Sequence, residues 1–237
     1  MGVTVLQQYP MIENRTGPQT IEFLTKRVVA LGAVQTGQFL VDCETYVSVP
    51  QLGETLHVLH NSEQPASVFA ILESGNKVVP LIADGLFDLL MYKISSIYTN
   101  KMQKVESKGP RFEIGDFCVK LGSVTINQNF KGVLVEVEYR PCVVPGSAWE
   151  LMREFLQGFL GSTVSNQAPQ YLQHIYCNSL ILFQNRMNDI YQPLDTIQQY
   201  LEHFGQYRKA VLRLNFSSGA QKLWPFFIFL KHLTSRI

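Results

Sequence analysis

The chain has 237 residues and a mass of 26.9 kDa, a size at which one domain around a single buried core is the simplest expectation. Hydrophobic residues make up 46% of the chain and charged residues only 16%, which excludes the composition of intrinsically disordered proteins. Lys and Arg total 20 against 19 Asp and Glu, so the chain lacks the cationic surplus that binds phosphates, and direct nucleic-acid binding is not expected.

The first half of the chain is predicted to form a helix, four strands and a second helix. Apolar residues at helical spacing predict a helix over Pro18–Leu31. Period-two alternation and intervening turn residues then predict strands over Gln38–Val49, Thr55–His60, Ser67–Glu73 and Lys77–Ile82. Asp84 is the expected N-cap of a helix from Leu86 to about Tyr98.

The second half repeats the pattern of strands followed by helices. Strands are predicted over Gln103–Ser107, Phe112–Leu121, Val124–Asn127 and Gly132–Tyr139, the last two as a hairpin. Ser147 and Glu150 have the spacing of a capping box, which predicts a helix that ends at Gly161. After a polar loop over Ser162–Gln170, a last helix should run from Pro193 towards Arg208.

This order of elements favours the α+β class, with an antiparallel β-barrel of about eight strands and flanking helices packed over one side of it. Closure is expected because it removes unpaired strand edges. We predict a single β-barrel/helix domain over residues 1–210.

The cysteines, the N-terminal segment and the apolar segments indicate the cellular location of the protein. Cys43, Cys118, Cys142 and Cys177 lie far apart without a C-x-x-C pair, which predicts reduced, mostly buried thiols. Met1–Tyr9 has no signal-peptide pattern, so cytosol or nucleus is expected. The two most apolar windows, Ile175–Phe183 and Leu223–Leu230, fall short of the ~20 residues that cross a bilayer, and no membrane association is expected.

One pair of carboxylates could carry chemistry. Glu136 and Glu138 form the only E-x-E pair and share one face of a predicted strand. A divalent-metal-dependent phosphohydrolase could use such a pair in a barrel lumen, and this stays the alternative function, but it needs further inward carboxylates and cations. We therefore expect both glutamates on a solvent face opposite Val133, Val135 and Val137.

Other site chemistry is not visible in the sequence. His57 and His60 are three apart on a predicted strand, which places them on opposite faces and prevents joint metal ligation. The chain contains no G-x-S-x-G, H-E-x-x-H, Walker or G-x-G-x-x-G motif, so no catalytic, cofactor-binding or metal-ligating residue is assigned and no enzyme is predicted. A ligand-binding barrel with an apolar lumen also remains open.

A partner interface is predicted where the strand alternation breaks before the third helix. The candidate contact residues are Tyr139, Pro141, Cys142, Val143 and Val144. The alternative reading is an ordinary buried connection between a strand and a helix.

A series of colinear fragments is similar to one known family. The fragments are Met1–Thr4, Phe39–Tyr46, His60–Pro65, Leu81–Asp84, Asp116–Gly122, Val135–Val144, Glu154–Ser162, Asp195–Phe204 and Tyr207–Lys209. Together they resemble the family of subunit 20 of the Mediator complex of RNA polymerase II transcription. Their order along the chain carries the resemblance, because no single fragment is diagnostic.

The resemblance implies a many-stranded barrel flanked by helices and a non-catalytic role in the movable jaw of the Mediator head. It implies a heterodimer with Mediator subunit 18, a similar barrel, and a tether through the C-terminal helical tail of Mediator subunit 8. Contacts with the rest of the head, with activators, and with the TATA-binding protein or its relatives are also implied, as is a nuclear location.

Two segments depart from the family pattern. Tyr171–Gln184 is interpreted as an insertion before the last helix. Residues 211–237 form a divergent tail, for which an altered splice form and a short helix docked on the barrel are both open readings.

Overall fold

A computed structural model describes residues 2–11, 15–100, 102–173 and 186–210. The predicted divergent tail over 211–237, Cys177 and most of the predicted insertion lie outside the described residues. Within those ranges no helix is long and apolar enough to span a membrane.

The described chain contains nine strands in one sheet, together with five α-helices. The strands are β1 (Val3–Tyr9), β2 (Val34–Ser48), β3 (Glu54–Asn61), β4 (Val68–Ser74), β5 (Lys77–Ala83), β6 (Tyr98–Asn100), β7 (Val105–Ile114), β8 (Phe117–Ile126) and β9 (Asn129–Tyr139). The helices are α1 (Gly17–Ala30), α2 (Leu86–Lys93), α3 (Pro145–Leu160), the short α4 (Gln170–Gln173) and α5 (193–210).

Every strand pair is antiparallel, which confirms the predicted α+β class. The strand order is β1-β9-β8-β7-β2-β3-β4-β5, with β6 on β2. The two end strands, β1 and β5, do not pair with each other, so the sheet stays open and the term barrel is only approximate. The predicted closure is therefore wrong.

Three local predictions need correction: one predicted strand contains a turn, one strand was missed, and the capping box belongs to a different helix. The predicted strand Phe112–Leu121 is interrupted by a tight turn at Gly115, whose φ of 53° favours glycine. The first strand, β1, was not predicted. A capping box closes the start of α1 through Thr16 and Gln19, whereas Ser147 lies inside α3, which starts without a side-chain cap.

The predicted hairpin before the third helix is confirmed and is formed by β8 and β9. The predicted second helix ends earlier than expected, at Lys93, and its last residue forms part of β6 instead.

Helices cover both faces of the sheet, which corrects the expectation of one covered side. On one face, α1 and α3 pack against Val133, Val135 and Val137 of β9. On the other face, α5 packs against Leu6 of β1 and Leu134 of β9. Both faces of the sheet carry buried apolar side chains, which the helices remove from water.

The predicted burial of the thiols holds for two of the three cysteines in the described part of the chain. Cys43 and Cys118 are free and buried, and Cys142 is free and half-buried. Burial raises the pKa of the Cys43 thiol to about 11, in spite of the opposing charge of Arg208, so this thiol is unreactive at neutral pH.

Candidate protein-interaction surface

The segment predicted as a partner interface connects β9 to α3 and is tied down through its backbone. The Cys142 carbonyl accepts a hydrogen bond from Val3 N at 2.9 Å, and the Val143 carbonyl accepts one from Tyr191 N at 2.7 Å. The Tyr139 ring packs on Phe117, with 5.0 Å between ring centroids.

Only part of that segment faces solvent. Pro141 is exposed and Val143 is 40% exposed, whereas Tyr139, Cys142 and Val144 are half-buried. The apolar area available to a partner here is small, and the geometry is that of a well-anchored strand-to-helix connection. Its role as an interface stays a prediction.

The two glutamates considered for metal chemistry make separate structural contacts. Glu136 Oε1 accepts a hydrogen bond from Lys120 Nζ at 2.8 Å, and each of these residues is only 4% exposed. The Tyr200 hydroxyl of α5 donates to the other Glu136 oxygen. Glu138 Oε1 accepts a hydrogen bond from Gly2 N at 2.8 Å. The predicted solvent face is wrong for Glu136, because α5 covers this side of β9.

The electrostatics of the Lys120–Glu136 pair are those of a buried ion pair. Burial by itself lowers the pKa of Lys120, but the charge and the hydrogen bond of Glu136 outweigh it and leave that pKa raised. Lys120 therefore stays charged at neutral pH, and Glu136 already has a cation as its partner.

The space that a lumen enzyme would need is filled by a helix. Ile197, Tyr200 and Phe204 of α5 are fully buried against the same face of the sheet that carries Glu136. Among the described residues, no group of three or more His, Cys, Asp or Glu side chains is placed to hold a metal ion.

The two histidines lie on opposite faces, as predicted. His57 Nδ1 is 3.0 Å from the Thr45 hydroxyl. His60 instead contacts Asp42 and Asp88 on the other face, at 3.2 and 3.1 Å.

An extended apolar surface lies where the sheet ends at β5. Six large side chains of β5 and α2 on the side of the sheet that carries α2 are between 48% and 79% exposed. They are Val79, Leu81, Leu86, Leu89, Leu90 and Tyr92, and we call them the α2–β5 surface. Ile82 pairs with Phe69 and therefore lies on the opposite face of β5. Exposed apolar patches of this extent on a soluble protein usually mark interaction sites.

The α2 helix is fixed to the sheet, so this surface has a defined shape. Met91 is buried against Leu56 and Val58 of β3. The predicted N-cap is one residue off, because Gly85 is the N-cap of α2 and provides no side-chain cap. The Asp84 carboxylate nevertheless accepts a hydrogen bond from Leu86 N at 2.9 Å.

His60 joins α2 to the sheet through Asp88 of α2 and Asp42 of β2. The hydrogen bond with Asp42 opposes the effect of burial and, together with the charges of Asp42 and Asp88, raises the pKa of His60 to about 9. A protonated His60 can donate to both carboxylates at once.

Sequence reasoning did not identify the α2–β5 surface. Phe87, Leu90 and Ile94 lie at helical spacing and form one stripe, but Leu90 is 48% exposed. A signal was present, because α2 has the sequence LFDLLMYK with only Asp88 and Lys93 charged. A helix that is apolar all round must be covered on all sides, and here the sheet covers only one.

Comparison with known proteins gives a consistent result. The family model described as "TATA-binding related factor (TRF) of subunit 20 of Mediator complex" matches residues 1–205. The protein called "Mediator of RNA polymerase II transcription subunit 20" from Aedes aegypti is 68% identical over 213 residues, covering 88% of this chain and 95% of the relative.

More distant relatives carry the same name. The protein from Drosophila melanogaster is 48% identical over 238 residues, covering 95% of this chain and 94% of the relative. The protein from Homo sapiens is 42% identical over 217 residues, covering 88% of this chain and 95% of the relative.

Proposed function

Because the chain belongs to the Mediator subunit 20 family, we propose that it is a non-catalytic subunit of the movable jaw of the Mediator head, where it links regulators to RNA polymerase II transcription. In this role the protein acts by presenting surfaces to other subunits in the nucleus. The observation that carries the proposal is the α2–β5 surface, a large apolar area held rigidly on a folded sheet.

The proposed direct partners are Mediator subunit 18, in a heterodimer of two barrels, and the C-terminal tail of Mediator subunit 8. Contacts with the rest of the head, and with the TATA-binding protein or its relatives, belong to the same proposal. An assembly subunit needs exposed apolar area and a stable scaffold, and both are features of this chain.

The contacts of Glu136 weigh against the alternative phosphohydrolase. A metal-binding carboxylate would need to be free of a competing cation, whereas Glu136 is held by Lys120 and Tyr200.

Co-expression with subunit 18, followed by size-exclusion chromatography at about micromolar concentration, tests the proposal. We expect a single 1:1 complex, and addition of the subunit 8 tail should increase its mass. A Mediator subunit from outside the head, co-expressed in the same way, serves as the control and should elute separately. Separate elution of this chain and subunit 18 would overturn the proposed heterodimer.

A further inference from the structure

We propose that residues 224–230 of this chain pack on the α2–β5 surface, so that the protein covers this apolar surface with its own tail. This inference goes beyond the proposed function, because it gives the surface an intramolecular occupant. Any partner of the α2–β5 surface then has to displace the tail before it can bind.

Residues 224–230, which we call the apolar tail segment, have the composition of a segment that is stable only when it is covered. Their sequence is WPFFIFL, without a charge, and the cations nearest to them in sequence are Lys222 and Lys231. A side chain of Trp or Phe can bury about 150–250 Å², so the segment can cover an area comparable with the ~800 Å² that one partner contributes to a standard interface.

The α2–β5 surface offers matching chemistry on a fixed scaffold. Its exposed side chains are apolar, and Tyr92 is the most exposed of them at 79%. Asp88 and Lys93 are the charged residues of α2, and Asp88 is engaged with His60 at 3.1 Å. An uncharged segment can therefore pack here with few charged groups to remove from water.

The end of α5 places the start of the tail beside β2. Close to the end of this helix, Arg208 Nη1 donates a hydrogen bond to the Thr45 hydroxyl of β2 at 2.7 Å. Arg208 Nη2 donates another to the Gln103 carbonyl at 3.0 Å. The chain therefore leaves α5 on the face of the sheet that carries Thr45.

The register of the sheet gives the distance from this point to β5. Thr45 pairs with His57, and His57 pairs with Ile71. Ile71 in turn pairs with Pro80 of β5. Neighbouring strands are about 4.8 Å apart, so Pro80 lies about 14 Å from Thr45. Because β5 is the end strand in the order of the described strands, the chain can pass around its edge to the α2–β5 surface.

The tail is long enough for this route. About 14 residues separate the end of α5 from Trp224, and they span up to about 45 Å when extended. Crossing three strand spacings and passing around a sheet about 10 Å thick requires about 25 Å. A connection of this length gives the segment an effective concentration on the order of 1 mM, which favours it over a second copy of the chain at micromolar concentration.

The other end of the sheet is already covered by described residues. At β1, the Nε2 atom of Gln199 donates to the Thr4 carbonyl at 3.0 Å, and the Tyr171 hydroxyl donates to the Leu6 carbonyl at 2.7 Å. The apolar side chains around β1 are packed under helices, whereas those of the α2–β5 surface are exposed.

Quenching of Trp224 fluorescence by acrylamide tests the inference in the full chain. The sequence has two tryptophans, so Trp149→Phe makes Trp224 the single fluorophore. We expect its Stern–Volmer constant to be at least about threefold below that of N-acetyltryptophanamide, because packing shields the indole from the quencher. A constant equal to that of the free compound would overturn the inference.

A charge on the surface should release the segment. In the Trp149→Phe background, Leu89→Glu should raise the constant by about twofold or more, because a carboxylate resists burial under apolar side chains. Val29→Glu is the matched control, since Val29 is 48% exposed on α1 outside the surface, and it should leave the constant unchanged. Equal constants for Leu89→Glu and Val29→Glu would overturn the proposed location. Unchanged thermal midpoints show that the variants are folded.

Photo-crosslinking locates the segment without any change to the surface. With p-benzoylphenylalanine in place of Phe227 in the otherwise wild-type chain, we expect crosslinks within the monomer to peptides of α2 or β5. Crosslinks within the monomer to other elements would overturn the location. A crosslinked dimer would show that the occupant is a second copy and would overturn the intramolecular contact.

These outcomes are independent of the proposed function, because both measurements use this chain alone. A quenchable Trp224 overturns the tail contact and leaves the proposed heterodimer standing. Separate elution from subunit 18 overturns the heterodimer and leaves the tail contact standing.

Discussion

The side chain of Gln199 caps the edge of β1 at Leu6, as the peptide group of a neighbouring strand would. Its Oε1 accepts a hydrogen bond from Leu6 N at 2.9 Å, and its Nε2 donates to the carbonyl of Thr4 at 3.0 Å. The two residues are 193 positions apart in sequence. Through this contact α5 covers one face of the sheet and also satisfies backbone groups at its edge.

Removal of this cap should destabilise the fold. Gln199→Met keeps the length of the side chain but leaves the Leu6 N–H and the Thr4 carbonyl without their partner, at a cost of about 1–3 kcal/mol in the free energy of unfolding. Urea denaturation measures the loss, and hydrogen exchange should show a faster-exchanging Leu6 amide. Gln206→Met, at an exposed position of the same helix, should stay within about 0.5 kcal/mol of wild type. An unchanged Leu6 exchange rate in Gln199→Met would contradict the assigned role.

The buried ion pair predicts a non-additive double mutant. Glu136→Gln leaves the Lys120 charge in the core without its close partner and should lower the free energy of unfolding by about 3–5 kcal/mol. In Lys120→Met/Glu136→Gln the orphan charge is gone, while the amide can still accept the Tyr200 hydrogen bond, so at least half of the loss should be recovered. A double variant no more stable than Glu136→Gln alone would show that the charge is not the cause.

The contacts of His60 predict a loss of stability at alkaline pH. Because the pKa of folded His60 is raised from 6.5 to about 9, its protonated form stabilises the fold fully below pH 6.5, and this contribution is lost as the pH rises through 9. The side chain is 36% exposed, so solvent screening reduces the contribution to about 1 kcal/mol.

Comparison with His60→Gln isolates this effect from other titrations. The difference in free energy of unfolding between wild type and His60→Gln should be largest near pH 6 and should nearly vanish at about pH 10. A difference that does not depend on pH would mean that the charge of His60 contributes nothing to holding α2.

The non-catalytic assignment predicts that the protein is inactive in a triphosphatase assay. With Mg²⁺ or Mn²⁺ and a nucleoside triphosphate, we expect no turnover above background, because Glu136 is neutralised by Lys120 and α5 fills the same face of the sheet. An authentic metal-dependent triphosphatase is the positive control. Metal-dependent turnover that Glu138→Gln abolishes would overturn the non-catalytic assignment.

Local patterns predicted most elements. They failed to predict the burial of side chains that are covered by residues distant in sequence. Alternation placed His57 and His60 on opposite faces correctly, because side-chain direction along a strand is a local property. The same alternation placed Glu136 in solvent, which is wrong because α5, some 64 residues further along the chain, covers it. Leu90 belongs to an apolar stripe yet is 48% exposed, because the sheet covers only one side of α2.

By itself, the sequence determined the α+β class, the antiparallel pairing and the family, because periodicity, turn residues and colinear fragments can be read along the chain. Only the tertiary structure decided which face each helix covers, that the sheet stays open, and that Glu136 meets Lys120 and Tyr200. Burial depends on which surfaces meet across long sequence separations, and no local pattern contains that information. The exposed α2–β5 surface is the clearest case, since its residues look like core until the fold shows that nothing in the described chain covers them.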